Sequence, residues 1–128
     1  MIRYFLRAPR FPVICDQDGY LVGAFSEEEF VSQLENANPE LEESYPLLDP
    51  KGEGWSLVMD QIVVSPLAFK KTWTKREVIE LFNSSDTASK AGLVYSLKSL
   101  SNKRLDLIVS ELAALIPNVN QPPNSRDR

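Results

Sequence analysis

The apolar residues change period once along the chain, and that change limits the fold more than any single residue does. Up to Val64 they alternate or run in short bursts: Ile2, Tyr4 and Leu6 alternate against Arg3 and Arg7, and Phe11 to Cys15, Tyr20 to Phe25 and Trp55 to Val64 are compact apolar runs. These are the marks of strands. From Thr74 onward the apolar residues recur at three and four, the period of helices: Val78, Ile79, Leu81 and Phe82, then Leu93, Val94, Leu97 and Leu100, then Leu105, Ile108, Val109, Leu112 and Ile116. The expected fold is α+β. An antiparallel sheet of about four strands, with one helix in the N-terminal half, is followed by about three C-terminal helices packed on it. Residues 1–116 make a single domain, with an acidic β-rich part over 1–68 and a basic helical part over 69–116. The polar, proline-bearing tail 117–128 has too little apolar area to offset the entropy of ordering and is expected to be disordered.

Punctuation refines the elements. Asp16-Gln17-Asp18-Gly19 supplies a turn between two strands of a hairpin. Ser26 to Glu29 and Thr74 to Glu77 are both capping boxes, which start helices. The first helix is expected to run to about Asn36, and an exposed loop with two prolines to follow over Asn38 to Asp49. Trp55 to Val64 reads as one long strand interrupted by Asp60 and Gln61. Asp86 to about Leu100 reads as a helix with Leu93, Val94, Leu97 and Leu100 turned inward, and Ser101 as the cap of a last helix closed by Pro117.

The chain has 128 residues and no histidine. Its length allows a core that buries roughly two thirds of the unfolded surface without staples. Lacking histidine, it cannot build a triad on an imidazole base or the Cys/His zinc sites, and no cofactor is expected. One thiol, Cys15, closes no internal bridge and fits a reducing cytoplasm. No window approaches the ~20 apolar residues of a bilayer span, and Arg3, Arg7, Arg10 and two prolines break the opening segment, so neither a membrane nor a signal peptide is expected.

Val13-Ile14-Cys15-Asp16-Gln17-Asp18-Gly19 is an apolar run followed by Asp-x-Asp-Gly. It resembles the first motif of haloacid-dehalogenase-type phosphotransferases. The resemblance implies a Mg²⁺-dependent phosphatase, with Asp16 as nucleophile and Asp18 as general acid and base, on a parallel α/β sheet. Beside it stands the reading of the same residues as a hairpin turn.

Charge is divided between the halves: residues 1–68 hold 4 Lys/Arg against 12 Asp/Glu, net −8, and residues 69–128 hold 10 against 6, net +4. In the second half, Lys70, Lys71, Trp73, Lys75 and Arg76 form a basic stretch with an aromatic inside it, a candidate grip on nucleic-acid phosphates and a base. Lys98, Asn102, Lys103 and Arg104 would extend it. A pI near 4.9 argues against that partner. In the first half, nine acids fall between positions 27 and 53, opposed by Lys51 alone. Glu27, Glu28, Glu29, Glu35, Glu40, Glu42, Glu43, Asp49 and Glu53 would form an acidic face that steers a basic protein partner, with Tyr45 as an aromatic anchor. The leading expectation is a non-catalytic protein-binding module, in its sharpest form an immunity or antitoxin-type inhibitor of a basic toxin such as a nuclease. A nucleic-acid-binding or regulatory module using the C-terminal helices is the alternative, and oligomeric state is not legible.

Overall fold

In a computed structural model of the chain, residues 2–37 and 44–120 are described, of which 35–37 by their backbone only. The α+β class holds. The sheet is larger than expected and mixed, with six strands in the order β1-β6-β5-β4-β2-β3. The strands are β1 (Arg3–Tyr4), β2 (Val13–Gln17), β3 (Tyr20–Ala24), β4 (Ser44–Leu48), β5 (Gly54–Val58) and β6 (Val63–Ser65). All neighbours pair antiparallel except β1, which lies parallel to β6.

Two corrections account for the added strands. The run Trp55 to Val64 is two strands, because its polar interruption is a reverse turn over 59–62, with Ile62 at a φ of 51°. The segment expected as an exposed loop contains β4, which sits between β5 and β2. Proline is rare in inner strands because it has no N–H to give. Pro46 is accommodated because β2 pairs only with Leu47 and Leu48 and does not reach it.

Alternation along the strands feeds two cores. Val13, Cys15, Val22, Ala24, Tyr45, Leu47, Trp55, Leu57 and Val64 point to one face, where Phe30 and Leu34 of α1 (Glu27–Ala37) and the N-terminal Ile2 cover them. Ile14, Leu21 and Leu48 point to the other and meet α2 (Lys75–Asn83), α3 (Asp86–Ala91) and α5 (Leu105–Val119). Each fully buried side chain of this size contributes roughly 1.5–3 kcal/mol. The helical layer packs on β2 and β3, leaving the β5, β6 and β1 side of that face without a helix.

Among the described residues the C-terminal part has four helices, not three. Gly92 takes a φ of 67° and ends α3, so the expected longer helix stops there. Leu93, Val94 and Leu97 are therefore exposed instead of inward, and α4 (Ser99–Asn102) is a single turn. The last helix starts after Arg104, not Ser101, and runs through Pro117 to Val119. Residues 121–128, the rest of the expected disordered tail, lie outside the described residues. Among the described residues no helix is long and apolar enough to cross a membrane.

Candidate functional site

Of the nine acids between positions 27 and 53, the side chains of Glu27, Glu28, Glu29, Asp49 and Glu53 are among the described residues. Asp49 is buried, 2% exposed, and its carboxylate organises the turn after β4: Oδ1 accepts from the Lys51 and Glu53 N–H groups at 2.9 and 3.0 Å, and Oδ2 from Trp55 Nε1 at 3.2 Å. Tyr45 is a core residue at 4% exposure, not a surface anchor. Glu53 forms a two-pronged ion pair with Arg7, Nη1 donating to Oε1 at 3.0 Å and Nη2 to Oε2, and that hydrogen bond holds its carboxyl below the ordinary range. Glu27 accepts from the Tyr4 hydroxyl at 2.9 Å, and Glu29 from the Phe25 N–H at 2.6 Å. Glu28 is exposed. Glu40, Glu42, Glu43 and the side chain of Glu35 lie outside the described residues. Of the five acids whose side chains are described, Asp49 is interior, Glu53 is paired with the Arg7 cation, Glu27 and Glu29 accept from neutral donors, and Glu28 is exposed.

Asp16 lies in β2, paired with Leu21 of β3, and Asp18 with Gly19 forms the two-residue hairpin turn that joins the two strands. Asp18 and Gly19 both have positive φ, and Gln17 pairs with Tyr20. Asp16 Oδ1 accepts the Gly19 N–H at 2.8 Å, and burial pushes the Asp16 carboxyl up, with Asp18 and Asp86 adding to the rise. The strand leading into the motif is antiparallel to both neighbours, unlike the parallel arrangement the phosphotransferase resemblance implies. No group of three or more His, Cys, Asp or Glu side chains among the described residues is placed to hold a metal ion.

The basic stretch is partly spent as well. Lys75 Nζ donates to the Leu100 and Lys103 carbonyls at 3.0 and 2.9 Å, closing the end of α4. Lys70 Nζ lies 2.6 Å from Glu77 Oε2 and 4.9 Å from the centroid of the Trp73 ring. Lys71 and Arg76 are exposed. Of the second group, Lys103 bonds Glu111 at 2.7 Å and covers the Tyr95 ring.

What the sequence reading missed lies where β1, β4 and β6 end and β5 begins, which the registers place at one end of the sheet. The Arg7 N–H donates to Phe5 O at 2.8 Å, and the Ala68 N–H to Pro66 O at 2.9 Å. Each bond closes a three-residue γ-turn, and each turn carries a leucine at its apex. Since β1 and β6 are parallel neighbours, and Phe5 N–H bonds Val64 O at 2.9 Å, the two turns leave the sheet side by side. Leu6 is 73% exposed and Leu67 64%, and Phe5 and Phe69 are exposed beside them. Leu6 holds a φ of 69°, a backbone state that costs an ordinary residue roughly 1–2 kcal/mol.

From Leu67 the chain crosses back over the helix-free part of the sheet as an extended strap. Gly54 N–H donates to Lys71 O at 2.8 Å, Trp73 N–H to Gly52 O at 2.7 Å, and Ser56 Oγ to Leu67 O at 3.0 Å. Contact is close: a Cβ on Gly54 would stand 1.8 Å from Lys70 O. Between strap and sheet is a cavity of about 300 Å³ lined by Ser44, Pro46, Ser56, Ala68, Phe69, Lys70 and Trp73, with Tyr45 and Trp55 at its border. Strand alternation turns the Tyr45 and Trp55 side chains to the opposite face, where both belong to the core. Two buried side-chain polar atoms among the described residues have no hydrogen-bond partner, Gln17 Oε1 and the indole Nε1 of Trp73.

Comparison of the chain with protein-family models, with curated proteins and with solved structures returns no match.

Proposed function

We propose that this chain is a non-catalytic protein-binding module whose docking face is the end of the sheet bearing Phe5, Leu6, Leu67 and Phe69. The observation that carries this reading is the pair of adjacent γ-turns. A leucine held at positive φ and left in water is unfavourable twice over, in backbone strain and in exposed apolar area, and both costs recur in the folded chain for as long as nothing covers it. Burial of the apices against a partner recovers the second. Next to these convex side chains lies a concave cavity. A protein partner has relief enough to fill both, whereas a bilayer surface would cover the apices and leave the hollow empty. The reading differs from electrostatic capture of a basic protein, since Asp49 and Tyr45 are interior and Glu53 is held by Arg7.

The test is a photo-crosslinking amino acid placed at Leu67 in the full chain within its host cell, with the same amino acid at Asp18, in the exposed hairpin turn, as control. A discrete protein adduct from position 67 and none from position 18 is the expected result. Lipid adducts at 67, or identical patterns at both positions, sink the proposal.

A further inference from the structure

We infer that the outer edge of β1 is where an extended segment of the partner adds to the sheet as a further strand, an inference that rests on the docking reading above. β1 and β3 are the two edge strands. The Arg3 and Phe5 N–H groups both turn inward to β6, donating to Ile62 O and Val64 O at 2.9 Å each. Strand alternation therefore turns the Tyr4 N–H and C=O outward, and no side chain among the described residues bonds either group. The outward groups of β3 are treated differently: Thr87 Oγ1 accepts the Leu21 N–H, Asn120 Nδ2 donates to Leu21 O, and the Gln33 amide takes both groups of Gly23. Side chains close one edge of the sheet and leave the other open.

The chain does not fold back over the open edge after the Leu6 turn. Arg7 pairs with Glu53, just before β5, and its guanidinium carbon stands 4.7 Å from the centroid of the Trp55 ring. The connection to β2 thus crosses inward over the sheet, away from the outer side of β1. An N–H and a C=O presented by one residue at an edge select another extended backbone, which supplies an acceptor and a donor at the strand spacing. The antiparallel direction uses them best, because the residue opposite Tyr4 then exchanges both bonds with it. β1 is two residues long, so the ladder alone holds little, and the strand leads directly into Phe5 and the Leu6 apex, where apolar contact supplies the rest. On the face opposite the Tyr4 side chain, Arg3 and Phe5 are exposed. An added strand matches them with an acid beside Arg3 and, two residues away on the same face, an apolar side chain beside Phe5.

The experiment is a titration of the ¹⁵N-labelled full chain with the capped peptide Lys-Thr-Val-Thr-Glu-Thr-Lys, whose middle Thr would face Tyr4 while Val and Glu flank Phe5 and Arg3. The Tyr4 amide resonance is expected to move saturably and downfield and its hydrogen exchange to slow, while the Leu21 and Gly23 amides of the closed edge stay. Methylating the backbone nitrogen of the middle Thr removes the donor to Tyr4 O and should weaken binding about tenfold. The same methylation on Val, whose nitrogen points away from β1, should change little. Tyr4→Pro removes the N–H from the other side, at a position where an edge strand accommodates proline, and should weaken binding similarly when read on the Phe5 amide. The two methylated peptides test the same contact in the parent chain if that variant loses its fold. A Tyr4 resonance that is still at millimolar peptide overturns the inference, as does equal weakening by both methylations or equal movement at Leu21 and Gly23. A peptide that fails while Leu67 still crosslinks to protein removes the added strand alone. Pairing at Tyr4 without a protein adduct from Leu67 removes the docking reading instead.

Discussion

The side-chain amide of Gln33, on α1, reads both backbone groups of Gly23 on β3: Nε2 donates to Gly23 O at 2.5 Å, and Gly23 N–H donates to Oε1 at 3.3 Å. β3 is an edge strand. With Gln17 paired to Tyr20 across the two-residue turn, Leu21 and Gly23 are the residues whose N–H and C=O face outward. Thr87 Oγ1 accepts the Leu21 N–H at 2.8 Å, and Asn120 Nδ2 donates to Leu21 O at 2.9 Å. Side chains from α1, α3 and the end of α5 thus occupy an edge that would otherwise template pairing with another chain. Gln33→Leu should lower stability by roughly 1–3 kcal/mol, since it leaves two backbone groups unpaired. It should also produce concentration-dependent self-association. Urea unfolding and sedimentation velocity check the two effects; a variant that stays monomeric and unweakened shows the amide is dispensable.

Leu6 carries strain with no packing to compensate it. Replacement by glycine removes the steric conflict at positive φ and adds unfolded-state entropy. Leu6→Gly is therefore expected to leave stability unchanged or raise it by up to about 1 kcal/mol, while shrinking the apolar face. Thermal or urea unfolding decides this, and a clear loss of stability would show that the Leu6 side chain supports the fold.

The strap lies on Gly54 too closely for a methyl group. Gly54→Ala must push the chain at Lys70 and Lys71 outward, break the Gly54 to Lys71 hydrogen bond, and cost about 1–3 kcal/mol. Trypsin under native conditions should then cleave after Lys70 or Lys71 faster than in the parent. Equal cleavage rates and equal stability would mean that the contact relaxes without cost.

The Glu77 carboxyl is lowered to about 2, first by the hydrogen bond from Lys70 and then by the Thr74 N–H of the capping box. The folded chain therefore binds this proton less tightly than the unfolded chain. The contribution is complete above the ordinary value of 4.5 and is lost as pH falls from there toward 2. Urea midpoints of Glu77→Gln should lie below those of the parent at neutral pH and converge with them near pH 2. A gap that stays constant across that window contradicts the assignment.

Features that depend on near neighbours were legible. Thr74 and Glu77 form a complete capping box, Asp18-Gly19 makes the hairpin turn, and α1 begins after Ser26. Less legible were features that depend on residues far along the chain. Asp49 looks like one more surface acid until the Trp55 indole and two turn amides are seen to converge on it. Pro46 argues against a strand until the short reach of β2 is known. Leu93, Val94 and Leu97 fit a helical stripe until Gly92 stops the helix before them. In the candidate site, Trp73 and Lys70 drew notice as a basic, aromatic stretch, but neither the strap nor the hollow beneath it has a local signature.

Period, caps and turn residues determined the class of the fold, its α+β order and where most helices begin, because those signals act through hydrogen bonds and rotamers within a few residues. Tertiary structure alone decided that β1 runs parallel beside β6, that an acid is interior while leucines stand in water, and that a strap roofs a cavity. Those outcomes depend on which distant groups compete for the same space and the same hydrogen bonds, and a one-dimensional pattern does not contain that competition.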